Sequence, residues 1–250
     1  NGTERSRPSG GSPAMSVVVI TPDTYQPIRR TIEHLQEQTV RHRLELLLVA
    51  PSAKPLRADV PRLVGFWGTK IVEIGTITST PQANAAGVRS ATSPVVAFIE
   101  NHAYPDPEWA EALITAHQEP WAVVGPVVRN ANPGSLISWA DFMVQYTPWL
   151  AFAPARMVDQ LPAHNSSYKR SVLLEYEHEL ETALAVEGVL HWDMRRRGYR
   201  LFLEPEAEIA HLNTSRPSSL IRQLFLSARA FAAARARRWP TVQRLVYTAG

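Results

Sequence analysis

At 250 residues, 45% hydrophobic and 20% charged, the chain is long enough for one large α/β domain or two small ones, and its composition is that of an ordinary folded protein. The absence of cysteine excludes disulfides and thiolate metal sites and fits a reducing compartment; no apolar run approaches the roughly 20 residues that cross a bilayer. Net charge is +3 but unevenly placed, with seven Arg and no acid from Arg216 onward.

Residues 1–14 are polar and rich in Gly, Ser and Pro, and read as a disordered N-terminal segment without the apolar core of a secretory leader. That start predicts a cytoplasmic protein. Ser16-Val17-Val18-Val19-Ile20 is a buried-strand pattern ended by Thr21-Pro22-Asp23, and Ile28, Ile32 and Leu35 then recur at helical spacing between Gln26 and Gln38. Leu44 to Val49 reads as a second strand, 51–61 as a loop, Lys70 to Ile74 as a short strand and Gln82 to Thr92 as an Ala-rich helix. The run Val95-Val96-Ala97-Phe98-Ile99 has the character of a strand covered on both faces, and it stops at Glu100-Asn101-His102. Pro105-Asp106-Pro107 is expected to break the strand, with Asp106 capping a helix that begins at Pro107. This alternation predicts an α/β fold with a mostly parallel central sheet flanked by helices, and a ligand site at the C-terminal ends of its strands. Gly-x-Gly-x-x-Gly, the Gly-x-x-x-x-Gly-Lys-Ser/Thr phosphate loop and Gly-x-Ser-x-Gly are all missing, and no repeat of solenoid period is present.

In the second half, Trp121 to Val128 reads as a strand broken at Gly125-Pro126, Asn130 to Gly134 as a turn, and Ser135 to Tyr146 as a helix carrying Trp139, Phe142 and Met143. Trp149 to Leu161 is irregular and aromatic. Helices are expected around Ser171–Tyr176 and Glu187–Arg197, the second ended by Gly198 with Arg195, Arg196 and Arg197 at its negative end. Leu201-Phe202-Leu203 and Ile209-Ala210 read as short strands, and His211 closes the last. From Pro217 to Arg238, Leu220, Ile221, Leu224, Phe225, Leu226 and Phe231 mix with Arg in an amphipathic helix.

The order of these features resembles the family-2 glycosyltransferases of GT-A fold over roughly residues 15–215. Glu100-Asn101-His102 stands where that family carries Asp-x-Asp after an apolar strand, and Pro105-Asp106-Pro107-Glu108-Trp109 resembles its Pro-x-Pro-x-Trp helix start. The triplet is similar to the Asp-x-His of polypeptide N-acetylgalactosaminyltransferases. Pro162 to Arg170 resembles the Gly-x-Asn-x-x-Tyr/Phe-Arg segment that shapes the sugar pocket, and Asp193 to Leu201 resembles Arg-Leu-Arg-x-x-Gly-Tyr-Arg-Leu. The resemblance implies transfer of a hexose from a nucleotide-sugar donor to a glycan, lipid-linked or peptide acceptor, with a divalent cation at the diphosphate. It implies Glu100, His102 and His211 as metal ligands, a set suited to Mn²⁺ with Mg²⁺ as the alternative. It implies Glu187 as general base of an inverting reaction, with His191 one turn later on the same face. Donor contacts are implied for Thr21, Pro22, Asp23, Asn84, Asn101, His164 and Asn165, and Trp149 to Leu161 becomes an acceptor-side wall.

Plainer roles stand beside these. Glu100 and His102 are then solvated loop residues, Glu187 a carboxylate favoured by a helix N-terminus, His191 a core-edge residue beside Trp192, and Asn165 a turn former. Three departures also count. Ala50-Pro51-Ser52 replaces the family's Asp-Asp-x-Ser, Val186 replaces the first acid of its Glu-Asp pair, and Ala83-Asn84-Ala85-Ala86-Gly87 replaces Ala-Arg-Asn-x-Gly. The missing second-strand acid and the altered Asp-x-Asp motivate the alternative of a non-catalytic GT-A-like domain that binds a glycan or a protein, and a metal-dependent hydrolase is a third reading. Residues 216–250 form a basic helical segment with two expected roles, peripheral membrane contact through 217–238 or packing on the domain. Nucleic acid is not an expected partner, since the basic residues belong to no recognised module.

Overall fold

The computed structural model describes residues 11–237 and 239–244, without the side chains of Ala163 and Glu187; most of the stretch expected to be disordered lies outside the described residues. The strands are β1 (Met15–Ile20), β2 (Leu44–Ala50), β3 (Gly68–Glu73), β4 (Val95–Ile99), β5 (Ala103–Pro105), β6 (Val123–Asn130), β7 (Arg156–Val158), β8 (Ser167–Lys169) and β9 (Leu201–His211). Around them lie α1 (Arg29–Gln36), α2 (Thr80–Ser90), α3 (Trp109–Ala116), α4 (Leu136–Tyr146), α5 (Arg170–Leu174), α6 (Leu180–Ala183), α7 (Glu187–Arg196) and α8 (Pro217–Ala236).

The nine strands among the described residues join one sheet in the order β3-β2-β1-β4-β8-β6-β9-β5, with β7 also paired to β9. The first four strands are mutually parallel. Beyond β4 the directions are mixed: β8 is antiparallel to β4 and β6, β9 is parallel to β6, and β5 and β7 are antiparallel to β9. The sheet is therefore mixed rather than mostly parallel. A parallel return needs a crossover of about a dozen residues or more, and β5, β7 and β8 are three-residue strands entered directly from loops.

Side-chain alternation along the buried strands divides the interior into two apolar layers. Val17, Val19, Leu46, Leu48, Ala97 and Ile99 pack with Ile28, Ile32 and Leu35 of α1 and with Trp109 and Leu113 of α3. Val18, Leu47, Val49, Val96 and Phe98 face the other way, onto Ala83, Ala85 and Val88 of α2 and onto Leu190 and Met194 of α7. Helix α2 lies unusually close to the sheet: a Cβ added at Gly87 would fall 2.6 Å from a Val18 methyl. Ser79 caps this helix by accepting from the Gln82 N–H.

Three local expectations are corrected. The two short strands after Gly198 are one continuous strand, β9, which absorbs its irregularity as a register shift opposite Pro126 and Val127. There, Glu204 pairs with Pro126 and Glu208 with Val127, so Pro205, Glu206 and Ala207 bulge out where the prolines cannot donate to the ladder. The break expected at Gly125-Pro126 is this same shift inside β6. Finally, α3 begins at Trp109 with Glu108 at its cap, and Ala103 to Pro105 forms β5. Instead of capping, Asp106 accepts from Arg129 at 2.7 Å, and Arg129 also pairs with Glu208 at 2.7 Å, so one guanidinium ties the rim of β5 to β6 and β9.

Helix α8 buries none of its residues. Phe231 meets Trp192 of α7 edge-on at 5.4 Å, whereas Ile221 and Phe225 are mostly exposed. Among the described residues no helix is long and apolar enough to cross a membrane.

Candidate functional site

The C-terminal ends of β1, β2 and β4 open onto a cleft of about 630 Å³, within the range of roughly 300–1,000 Å³ usual for small-molecule sites. Ile20, Pro22, Pro51, Thr76, Ile77, Thr80 and Asn84 line one end, Phe98 and Ile99 lie between, and Glu100, Asn101, His102 and His164 close the other.

The polar end is assembled from the two sides of the sheet. Glu100 follows directly on β4, and His211 is the last residue of β9, brought beside it by the antiparallel pairing of His211 with Ala103. His211 Nε2 lies 3.1 Å from Glu100 Oε2, and His102 Nε2 lies 3.9 Å from Glu100 Oε1. The two imidazoles meet edge-on at 4.8 Å. One ligand atom from each of the three residues fits within 4.8 Å of the others. Carboxylate and imidazole donors at such spacing suit a first-row divalent ion, and the outer nitrogen of His211 is already engaged by Asn213 Oδ1 at 2.9 Å. The residues present therefore fit a divalent cation.

Electrostatics favour the same use. Burial alone would raise the Glu100 pKa, but the hydrogen bond from His211 and the charges of His164, His102 and His211 outweigh it and hold the carboxyl well below its usual range. Burial lowers the His102 pKa, partly countered by Glu100, so its ring favours the neutral, ligating form.

The remaining sequence-predicted residues divide by position. Pro22, Asn84, Asn101 and His164 line the cleft. Thr21 is buried, its hydroxyl donating to the Thr24 carbonyl, and Asp23 is exposed and accepts from the Thr24 N–H at 2.6 Å; neither lines the cleft. Asn165 is fully buried behind Glu100 rather than facing the cleft. Glu187 starts α7, and its side chain lies outside the described residues. His191 is fully buried, with Nε2 2.9 Å from the Tyr168 hydroxyl and Nδ1 facing the Leu161 N–H at 3.4 Å. Burial pushes its pKa down to about 3, and the structure places it in the packing between α7 and β8 rather than at the cleft.

Sequence reasoning passed over the residues around His211. Asn213 donates to Asn130 Oδ1 and to the His211 carbonyl, both at 3.0 Å, and Tyr146 packs on the His211 ring at 4.8 Å. A signal was available in His211-x-Asn213, where two ligand-type residues share one side of a strand end. Glu73 was also missed. It is the register partner of Ala50 on β3 and accepts the Ala53 N–H at 2.6 Å, which puts a carboxylate beside the strand end that lacks one of its own.

Comparison with known proteins gives a consistent picture. The family model described as Glycosyl transferase family 2 matches residues 16–176. A search of curated protein sequences returns no match. Among solved structures, GalNAc-T7 with UDP, GalNAc and Mn²⁺ superposes with a TM-score of 0.57 at 12% identity, over 79% of this chain and 43% of that one. The mannosyltransferase PcManGT from Pyrobaculum calidifontis, in complex with GDP-Man and Mn²⁺, gives 0.53 at 17% identity over 96% and 80%. S. aureus TarS 1-349 gives 0.56 at 15% identity over 89% and 65%. At these identities the likeness is one of fold, the GT-A fold. The chain spans less than half of the GalNAc-T7 structure and just under two thirds of the TarS one.

Proposed function

The chain belongs to glycosyl transferase family 2, and from that premise we propose that it moves a hexose from a nucleotide-sugar donor to an acceptor hydroxyl in a metal-dependent, inverting reaction. The observation that carries the proposal is the Glu100, His102 and His211 set at the polar end of the cleft. These residues would hold Mn²⁺, with Mg²⁺ as the alternative. When bound, the cation neutralises the diphosphate and supports its departure as leaving group.

The chain's own residues supply the rest. Pro22, Asn84 and the apolar end of the cleft take the nucleoside, and Asn101 and His164 contact the diphosphate or sugar. Glu187, at the start of α7, takes the acceptor proton as the new bond forms at the anomeric carbon and the bond to the diphosphate breaks. The exposed Phe152 and Met157 in 149–161 support an apolar acceptor wall. The acceptor is a glycan, a lipid-linked sugar or a peptide. Exposed Ile221 and Phe225 beside Arg222 and Arg229 on α8 support peripheral contact with an anionic membrane. Co-sedimentation with anionic but not neutral vesicles, lost in Ile221→Glu/Phe225→Glu, tests that contact.

A second reading, a GT-A-like domain that binds without transferring, is favoured by one feature. Among the described residues, those lining the nucleoside end of the cleft include Pro51 and no carboxylate, Glu73 lying outside the lining. Calorimetric titration with Mn²⁺ and a panel of nucleoside diphosphates, on wild type and His102→Ala, separates the two. Metal-dependent binding of one nucleotide, lost in the variant, supports the transferase. No binding of any nucleotide removes the donor site and leaves the binding domain.

A further inference from the structure

We infer that Asn165 and Asn213 are positioning residues that fix two of the three candidate metal ligands, leaving His102 as the adjustable one; the inference rests on the metal reading above. Asn165 is completely buried. Its amide nitrogen donates to Glu100 Oε2 at 3.0 Å, and its amide oxygen accepts the Glu100 backbone N–H at 3.2 Å. Both ends of the amide are thus spent on one residue, so Asn165 acts on the cleft through Glu100. The grip selects a carboxylate rotamer in which Oε2 is held toward His211 and Oε1 is turned toward His102.

Asn213 does the corresponding work for His211. Its amide nitrogen is committed to Asn130 Oδ1 and to the His211 carbonyl, so the atom facing His211 Nδ1 is the oxygen, an acceptor. Nδ1 is therefore engaged by Asn213, and Nε2, the ring atom that faces Glu100 Oε2 at 3.1 Å, is the one positioned to coordinate. Asn213 is itself pinned by a reciprocal pair. Its N–H donates to Asn132 Oδ1 at 2.8 Å, and Asn132 Nδ2 donates back to the Asn213 carbonyl at 2.8 Å.

His102 is held more loosely. Its Nδ1 also faces an amide oxygen, Asn101 Oδ1 at 2.8 Å, but that partner is the adjacent residue and itself lines the cleft, and the His102 side chain is 40% exposed. Two ligands are thus preset, one after β4 and one at the end of β9, and the third can close on the ion or on the donor phosphates.

The test is a Mn²⁺ titration followed by electron paramagnetic resonance, on the full chain, with thermal midpoints measured in the absence of metal. Asn165→Ala and Asn213→Ala should weaken Mn²⁺ binding by about 10–100-fold, the usual effect of removing an outer partner of a metal ligand. Asn213→Asp keeps an acceptor for Nδ1–H while losing the donors to Asn130 and the backbone. It should therefore hold affinity within a few-fold of wild type even where its thermal midpoint falls. A merely structural role predicts the reverse, with affinity following the thermal midpoint and lost in the Asp variant too. If an alanine variant does not fold, Asn165→Gln and Asn213→Gln, which displace the amide by one methylene, are read in the same way. Wild-type binding matched by the variants overturns the positioning role and leaves the metal reading standing. No Mn²⁺ binding by wild type overturns both.

Discussion

Replacing Gly87 by Ala tests whether the wall of the cleft is set by the contact between α2 and β1. The added Cβ would sit 2.6 and 2.8 Å from the two Val18 methyls and 3.3 Å from its Cβ. Ordinary carbon contacts lie at about 3.5–4.0 Å, so the overlap is about 1 Å. Val18 is 1% exposed and stiff about χ1, and any staggered rotation leaves at least one methyl against the new Cβ. The helix must lift instead. Overpacking of this kind costs about 1–3 kcal/mol. Against it stands a gain of up to about 1 kcal/mol from replacing a helical glycine. The expected net loss is about 1–2 kcal/mol, which for a chain of this size lowers the thermal midpoint by roughly 2–4 °C per kcal/mol. Because Thr80 and Asn84 ride on the same helix, donor affinity should fall with it. The assay is urea and thermal unfolding of Gly87→Ala, Val18→Ala and the double variant. The double variant should be more stable than the sum of the singles predicts by at least about 1 kcal/mol. A Gly87→Ala protein as stable as wild type, or strict additivity in the cycle, refutes the close-approach argument.

The other expectations are more direct. Burial pushes His191 down to about 3, and burial with the charge of Lys169 pushes His117 down to about 4. Both folded pKa values are depressed, so the unfolded chain binds more protons. The stability they contribute is whole above about pH 6.5 and falls as the pH drops toward 4, by about 2 kcal/mol per histidine between pH 7 and pH 5. Urea midpoints at the two pH values measure this, and His117→Asn should remove about half the slope; a flat profile contradicts it. Glu100→Gln keeps the shape of the side chain but removes the charge, and calorimetry should show Mn²⁺ affinity reduced by at least about tenfold; unchanged affinity excludes Glu100 as a ligand. Gly198 ends α7 at φ +89° with open space around its Cα, so Gly198→Ala should cost about 1 kcal/mol of conformational strain in a thermal melt and nothing in packing.

Periodicity made the parallel half of the sheet legible, because Val17 to Val19, Leu46 to Val49 and Val96 to Phe98 are apolar on both faces and a helix lies between successive pairs. The antiparallel half was hidden. Three-residue strands such as β7 and β8 carry too few side chains to show any period, and the bulge at Pro205 made one strand look like two. At the site, the spacing of Glu100 and His102 was readable within one segment, and motif order alone pointed to His211. What could not be read was direction: Asn165 ends a single 3-10 turn, 163–165, and Thr21 sits in a loop, where no periodicity tells whether a side chain faces the cleft or the interior. Hydrogen bonding turned Asn165 inward onto Glu100.

The distance along the chain between Glu100 and His211 has a consequence for synthesis. The two residues are 111 positions apart, and the second is the final residue of the strand that runs beside β5, β6 and β7. A nascent chain emerging from its N-terminus can pair β1 to β4, which form a contiguous parallel unit, long before His211 exists. Closing a loop of that length is slow compared with local helix formation, since its entropy must be lost before the pairing compensates. The candidate ligand set is therefore complete only after the parallel unit has formed. Capture of a divalent ion there would follow the docking of β9, and chains interrupted upstream of β9 would display walls of the cleft without His211.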